Sequence, residues 1–167
     1  MNRERIVRHI PALRRYARLL AGDAHRADDL VQDTLLRACA KWSLWRPDSN
    51  LRAWLFTLMH NLFIGQLRSA PPATISTSDL ADVGRDDDPA ATIDLERALA
   101  ALPEDQREVL LLVTVEDFTY AQVAAMTGVP VGTVMSRLSR ARRRLRETLE
   151  GNREMNVARP HLKAIRN

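Results

Sequence analysis

Apolar positions recur along most of this chain at intervals of three and four residues, the spacing that lines one face of an α-helix. Pro11 suits a first helical turn and leads into a helix over residues 12–20, which Gly22 closes. Asp23 can cap a second helix, in which Ala27, Leu30, Val31, Leu35, Ala38 and Trp42 keep helical spacing. The stretch "WSLWRPDSN" reads as a loop by composition. Beyond it Trp54, Leu55, Leu58 and Leu62 resume the helical rhythm.

From Ser69 onward "SAPPATISTSDLADVGRDDDPAA" breaks the pattern with adjacent prolines, Ser/Thr and an acidic run, which is linker composition. An acidic, alanine-rich helix follows and ends before Pro103. Pro103 then opens "PEDQREVLLLVTVED", where Glu104 and Asp105 complement the helix dipole. Thr119 and Gln122 have the spacing of a capping box, so Thr119 can start a helix through Met126. Gly128 and Pro130 supply a turn, and another helix starts at Val131. No strand or repeat is indicated. The expected fold is all-α: a helical unit over 1–68, a flexible acidic linker over 69–91, and a second helical unit over 92–150 with a helix-turn-helix layout. A tail over 151–167 receives no role.

Charge sharpens this division. The net charge is +4, but residues 1–68 carry 12 basic and 6 acidic side chains, 69–102 carry 2 and 7, and 103–167 carry 11 and 8. Two basic ends flank an acidic middle. The basic residues are nearly all arginine, which suits phosphate and guanine contacts, although genome-wide base composition produces the same bias. Cys39 is the sole cysteine, so an intrachain disulfide is excluded; it is expected as a small core residue in a reducing compartment. The first twenty residues have charges throughout and no continuous apolar run, which indicates neither a secretion signal nor a membrane span and points to the cytoplasm. His9, His25, His60 and His161 lack metal-ligand spacing, and neither a Gly-rich phosphate loop nor a nucleophile motif is present, so no enzyme chemistry, metal or cofactor is expected.

The last predicted helix has two contrasting sides. Val131, Val134, Leu138, Ala141, Leu145 and Leu149 form one stripe, while Thr133, Ser136, Arg137, Arg140, Arg143 and Arg144 lie largely opposite. A basic run beside an apolar stripe is usually a solvated helix face. Here no acidic residue occurs from Gly132 to Arg146, so the i,i+4 pairing that calms such a face is missing until Glu147. Together with the turn before it, this favours DNA as the partner of the face.

The segments "DAHRADDLVQDTLLRACAKW", "LRAWLFTLMHNLFIGQLR" and "LPEDQREVLLLVTVEDFTYAQVAAMTGVPVGTVMSRLSRARRRL" resemble, in this order over residues 10–150, the extracytoplasmic-function group of sigma-70-type RNA polymerase sigma factors. The resemblance implies a sigma region 2-like bundle and a sigma region 4-like helix-turn-helix. It implies that Asp28, Asp29, Leu30, Gln32, Asp33 and Leu36 dock on the clamp of the polymerase largest subunit. Of these, Asp29, Gln32, Asp33 and Leu36 lie off the core stripe; a solvated helix face with one stray leucine would look the same.

For the promoter −10 element the resemblance points to the loop residues Trp45, Arg46, Asp48, Ser49 and Asn50, with Thr57, His60 and Asn61 on the following helix. Aromatic rings and amides suit unpaired bases. Trp54 and Trp42 are expected in the core and Trp45 at the nucleic-acid surface. For the −35 element it points to Thr133, Ser136, Arg137, Ser139 and Arg140, with Arg143 and Arg144 on phosphates. Two departures stand out: Met135 occupies a position where many relatives carry Lys or Arg, and Gly65 one where an acidic residue is frequent. The implied partners are core RNA polymerase, promoter DNA and, as is common for the group, an anti-sigma factor. The competing class is a helix-turn-helix regulator that binds an operator as a dimer without polymerase and leaves "DDLVQD" without a role. A protein-interaction module is a third reading, one that needs no exposed arginine face.

Overall fold

The computed structural model describes residues 3–69 and 89–158, and these form eight α-helices and one 3₁₀ turn with no strand among them. Most of the expected linker therefore lies outside the described residues. Helix α1 is Arg3–Val7, α2 Ile10–Ala21, α3 Ala24–Ala40 and α4 Leu51–Ser69, with the 3₁₀ turn at Trp42–Leu44. Local chemistry sets their ends. Pro11 lies in the first turn of α2, and Gly22, at φ 67°, closes it by donating its N–H to the Arg18 carbonyl. Asp23 caps α3 through the Arg26 N–H at 2.8 Å, and Asn50 caps α4 by accepting the Ala53 N–H at 3.1 Å.

These helices bury one shared face. Leu13, Tyr16 and Leu20 of α2 meet Leu30 and Val31 of α3 and Leu55 and Met59 of α4. Thr34 is buried among them because its hydroxyl donates to the Leu30 carbonyl at 2.7 Å, which satisfies the polar group within its own helix. Helix α4 is apolar on more than one side: Phe56, Leu58 and Phe63 are buried as well. A helix of that kind needs neighbours on several sides, and the second half of the chain supplies one.

Helix α5 is Pro89–Ala100, α6 Glu104–Thr114, α7 Tyr120–Thr127 and α8 Val131–Ala158. The capping box forms as its spacing predicts. Thr119 accepts the Gln122 N–H at 3.2 Å and the Gln122 side chain accepts the Thr119 N–H at 2.9 Å. Gly128, at φ 69°, ends α7, and α8 leaves from the turn at Pro130. Val134, Leu138 and Ala141 of α8 are buried and Leu145 is half-buried, whereas Val131, expected on the same stripe, is exposed. Helix α8 also continues past residue 150 to Ala158, so the first part of the expected tail is helical; residues 159–167 lie outside the described residues.

The two halves pack on one another. Helix α7 lies along α4, and α6 and α5 pack on α2. Nearly all of the buried apolar residues form one cluster from Ile6 to Ala141. An aromatic chain crosses it: Tyr16 meets Phe56 edge-on with centroids 5.1 Å apart, and Phe56 meets Phe118 in the same way at 5.1 Å. Asp117 adopts φ 52°, which turns the α6–α7 connection so that Glu116 and Phe118 on either side both point inward. Aspartate is among the few residues that tolerate this region.

Candidate nucleic-acid interface

The site residues expected from the sequence fall into three groups, each held by a different element. On α3, Asp28, Asp29, Gln32, Asp33 and Leu36 are all exposed, Leu36 at 61%. Leu30 departs from the expectation: it is fully buried, because the α3 stripe that packs on α2 passes through it, and so it supports this face from beneath. A groove of about 590 Å³ runs beside Leu36, between α2 and α3, with Arg14 and Arg18 on its α2 wall. Cys39 opens onto the same groove and is exposed, contrary to its expected place in the core; Ala38, one residue earlier, takes the buried position.

The second group surrounds the start of α4. Arg46, Asp48, Ser49 and Asn50 are exposed in a turn held by the Ser49 hydroxyl and N–H, both donated to the Arg46 carbonyl. Trp45 does not join them. It is only 7% exposed, lies 5.0 Å from the Trp42 ring and carries the Arg5 guanidinium over its face at 4.6 Å. The tryptophan expected at the surface is thus the most buried of the three, while Leu44 beside it is 72% exposed. On α4, Asn61 is exposed, Thr57 is half-buried with its hydroxyl on the Ala53 carbonyl at 2.8 Å, and His60 is half-buried.

His60 faces inward to the second half of the chain, where its Nδ1 lies 2.6 Å from Glu108 Oε1. The two side chains share one hydrogen bond, whose direction is set by the tautomer of the ring. The same seam holds a second buried carboxylate. Glu116 accepts N–H groups from Arg15 at 2.8 Å and from Arg52, whose other terminal nitrogen reaches the Glu116 carbonyl at 2.8 Å. Arg52 also lies over the Phe118 ring at 4.4 Å. Arg107 of α6 donates to the carbonyls of Leu20, Leu102 and Ala100, closing the C-terminal ends of α2 and α5 with a cation. Burial first, then the nearby Glu108 and Glu116 carboxylates, push the Tyr16 phenol well above its ordinary range, so it stays protonated. None of these long-range partners carries a local sequence signal.

The third group is the outward face of α8. Ser139, Arg140, Arg143 and Arg144 are exposed, as are Arg142 and Arg146. Thr133, Ser136 and Arg137 are half-buried; the Ser136 hydroxyl donates to the Thr133 carbonyl at 3.0 Å, and Arg137 pairs with Asp105 of α6 at 3.1 Å. The only acidic contact on the outer arginines is the 4.0 Å approach of Glu147 to Arg143, among the described residues. Successive exposed guanidiniums on the second helix of a helix-turn-helix form a surface suited to phosphates and guanine edges. No group of His, Cys, Asp and Glu among the described residues could hold a metal ion, and no described helix is long and apolar enough to cross a membrane.

Comparison with known proteins agrees with this division. The family described as the Sigma2 domain of PhyR matches residues 6–60, and the family described as Sigma-70, region 4 matches residues 92–145. The chain is 43% identical over 148 residues to the ECF RNA polymerase sigma factor EcfG of Rhodopseudomonas palustris, covering 86% of this chain and 82% of that one. It is 37% identical over 150 residues to the ECF RNA polymerase sigma factor SigL of Mycobacterium tuberculosis, covering 85% of each. Among solved structures it is similar to the sigma factor RpoE in complex with the anti-sigma factor NepR from Bartonella quintana, with a TM-score of 0.72 at 36% identity over 89% of this chain and 96% of that one. With both matched regions on one chain and relatives aligned along nearly all of it, this chain belongs to the ECF group of sigma-70-type RNA polymerase sigma factors.

Proposed function

We propose that this ECF sigma factor docks on core RNA polymerase through the exposed face of α3, with Asp28, Asp29, Gln32, Asp33 and Leu36 in contact and Leu30 as the packed support below them. The exposed turn Arg46, Asp48, Ser49, Asn50 and the α4 residue Asn61 take the −10 strand, Thr57 and His60 flank that surface, and the buried Trp45 braces it. On α8, Ser136, Ser139 and Arg140 read the −35 major groove with Thr133 and Arg137 at its edge. Arg143 and Arg144 hold phosphates. The observation that carries this reading is the coexistence, on one chain, of an exposed acidic face that ends at the exposed Leu36 and an arginine face almost free of acidic partners. An operator-binding regulator has no use for the first of these.

The chain then acts as an initiation factor without catalysis of its own, and its place of work is the cytoplasm, where the polymerase and chromosome are. Its similarity to a sigma factor solved with NepR supports an anti-sigma factor as a further partner. Run-off transcription from a genomic promoter library, with core polymerase in the presence and absence of the protein, tests the proposal. New start sites that share two upstream elements support it. Specific DNA fragments shifted by the protein alone, with no new start sites, would replace it with the operator-binding reading.

A further inference from the structure

Met135 is 53% exposed and Val131, one turn earlier, 42% exposed, on a stretch of α8 whose other exposed side chains are hydroxyls and guanidiniums. The positions i and i+4 place the two on one side of the helix, and Arg142, seven residues beyond Met135, continues that side as an exposed cation. Single exposed apolar residues are ordinary. A pair of them at the start of a helix built to meet DNA has a narrower meaning. Against phosphate oxygens or the polar base edges an apolar group makes no bond and strips water from groups that then go unpaired. The major groove offers one apolar feature, the C5-methyl of thymine.

We propose that Met135, flanked by Val131, is a specificity-determining residue that reads a thymine methyl in the −35 element. The inference rests on the assignment of α8 to that element. Arg142 and its neighbouring arginines give the strip the positive surroundings that bring it against the phosphate backbone, and the exposed face is continuous with Ser139 and Arg140. The unbranched thioether adapts to the methyl of a base on either strand. The selectivity therefore takes the form of a preference for an A·T pair, where a Lys or Arg in the same place would favour a guanine edge or a phosphate.

Replacing thymine by deoxyuridine removes the methyl and leaves every hydrogen-bonding atom in place. A −35 element is first selected from a randomised library with holoenzyme reconstituted from core polymerase and the full chain, and each thymine in it, on both strands, is then replaced in turn. At one A·T pair deoxyuridine weakens binding about fourfold, the worth of one methyl-sized apolar contact. Met135→Ser binds the unmodified element about fourfold more weakly and loses this sensitivity; Met135→Leu keeps it. Because the side chain is exposed, both variants retain the thermal stability of the parent, which is measured alongside. A selected element in which no thymine methyl has a Met135-dependent effect overturns the inference while leaving the −35 assignment intact. Failure to enrich any −35 element overturns that assignment and the inference with it.

Discussion

His60 Nδ1 lies 2.6 Å from Glu108 Oε1, so a residue of α4 that the proposed function sets beside the −10 strand is held by a carboxylate from the helix-turn-helix half of the chain. Glu108 is almost wholly buried, and loss of His60 leaves a buried carboxylate without its imidazole partner. His60→Ala is expected to lower unfolding free energy by about 2 kcal/mol, and Glu108→Gln by a similar amount. The double variant costs less than the sum, because each single change already removes the pair. Urea titration of the four proteins gives the coupling; strictly additive effects would mean that the pair does not hold the halves together.

Glu116 joins the halves more firmly still, since Arg15 and Arg52 both converge on it. Removal of this buried acceptor in Glu116→Ala leaves the half-buried Arg52 without its carboxylate and is expected to cost about 3 kcal/mol. A fluorophore pair on the exposed Arg46 and Arg144 positions, each replaced by cysteine in a Cys39→Ser background, should report a longer mean separation in that variant. An unchanged separation would show that the apolar seam of Phe56 and Phe118 suffices by itself.

The proposed function divides the outer arginines by role. Arg143→Ala and Arg144→Ala should each weaken promoter binding by about the same factor on every sequence and reduce the salt slope by about one. Arg140→Ala should instead relax the preference at one −35 position, at a cost of about 1–3 kcal/mol on the preferred base. Binding of holoenzyme to promoter variants at several salt concentrations separates the two outcomes. A sequence-dependent effect of Arg144→Ala would reassign it to base reading.

Leu30 and Leu36 test the same helix from opposite sides. Leu36→Asp, at an exposed position, should leave stability within about 0.5 kcal/mol and abolish association with core polymerase. Leu30→Ala, in the core, should cost about 2–5 kcal/mol and weaken association only as far as the fold loosens. Leu36→Asp with undiminished polymerase binding would move the docking face elsewhere.

His9 supplies a pH dependence. Burial first, then the positive charges of Arg52 and Arg8, lower its pKa below the ordinary 6.5, so the folded chain favours the neutral ring. The unfolded chain binds the proton more readily. This contribution to stability is present in full above about pH 6.5 and is lost as the pH falls through the lower folded-state value. The urea midpoint should therefore drop between pH 7.5 and pH 5.5 by more in the parent than in His9→Gln. Equal drops would assign the dependence to other groups.

Much of the molecule is legible in local pattern. The helix spacing, the caps at Asp23 and Thr119, the glycine stops at 22 and 128 and the arginine face of α8 each depend on residues within a few positions of one another. Trp45, Val131 and Cys39 were not legible in this way. Whether a side chain at a helix end or in a turn is covered depends on what another segment brings to it: Arg5 and Trp42 cover Trp45, while the α3 stripe turns away from Cys39.

The sequence by itself determined that the fold class is all-α, that an acidic, proline-containing stretch divides the chain, and that its second half carries a basic helix after a tight turn, because propensity, capping and charge act over a turn or two. Only the tertiary structure decided that the halves share one core and that Glu108 and Glu116 meet His60, Arg15 and Arg52 across it. Burial of a carboxylate is tolerable only where cations or donors converge on it, and these partners lie 48 to 101 residues away along the chain. No spacing rule reaches that far; packing alone brings them together.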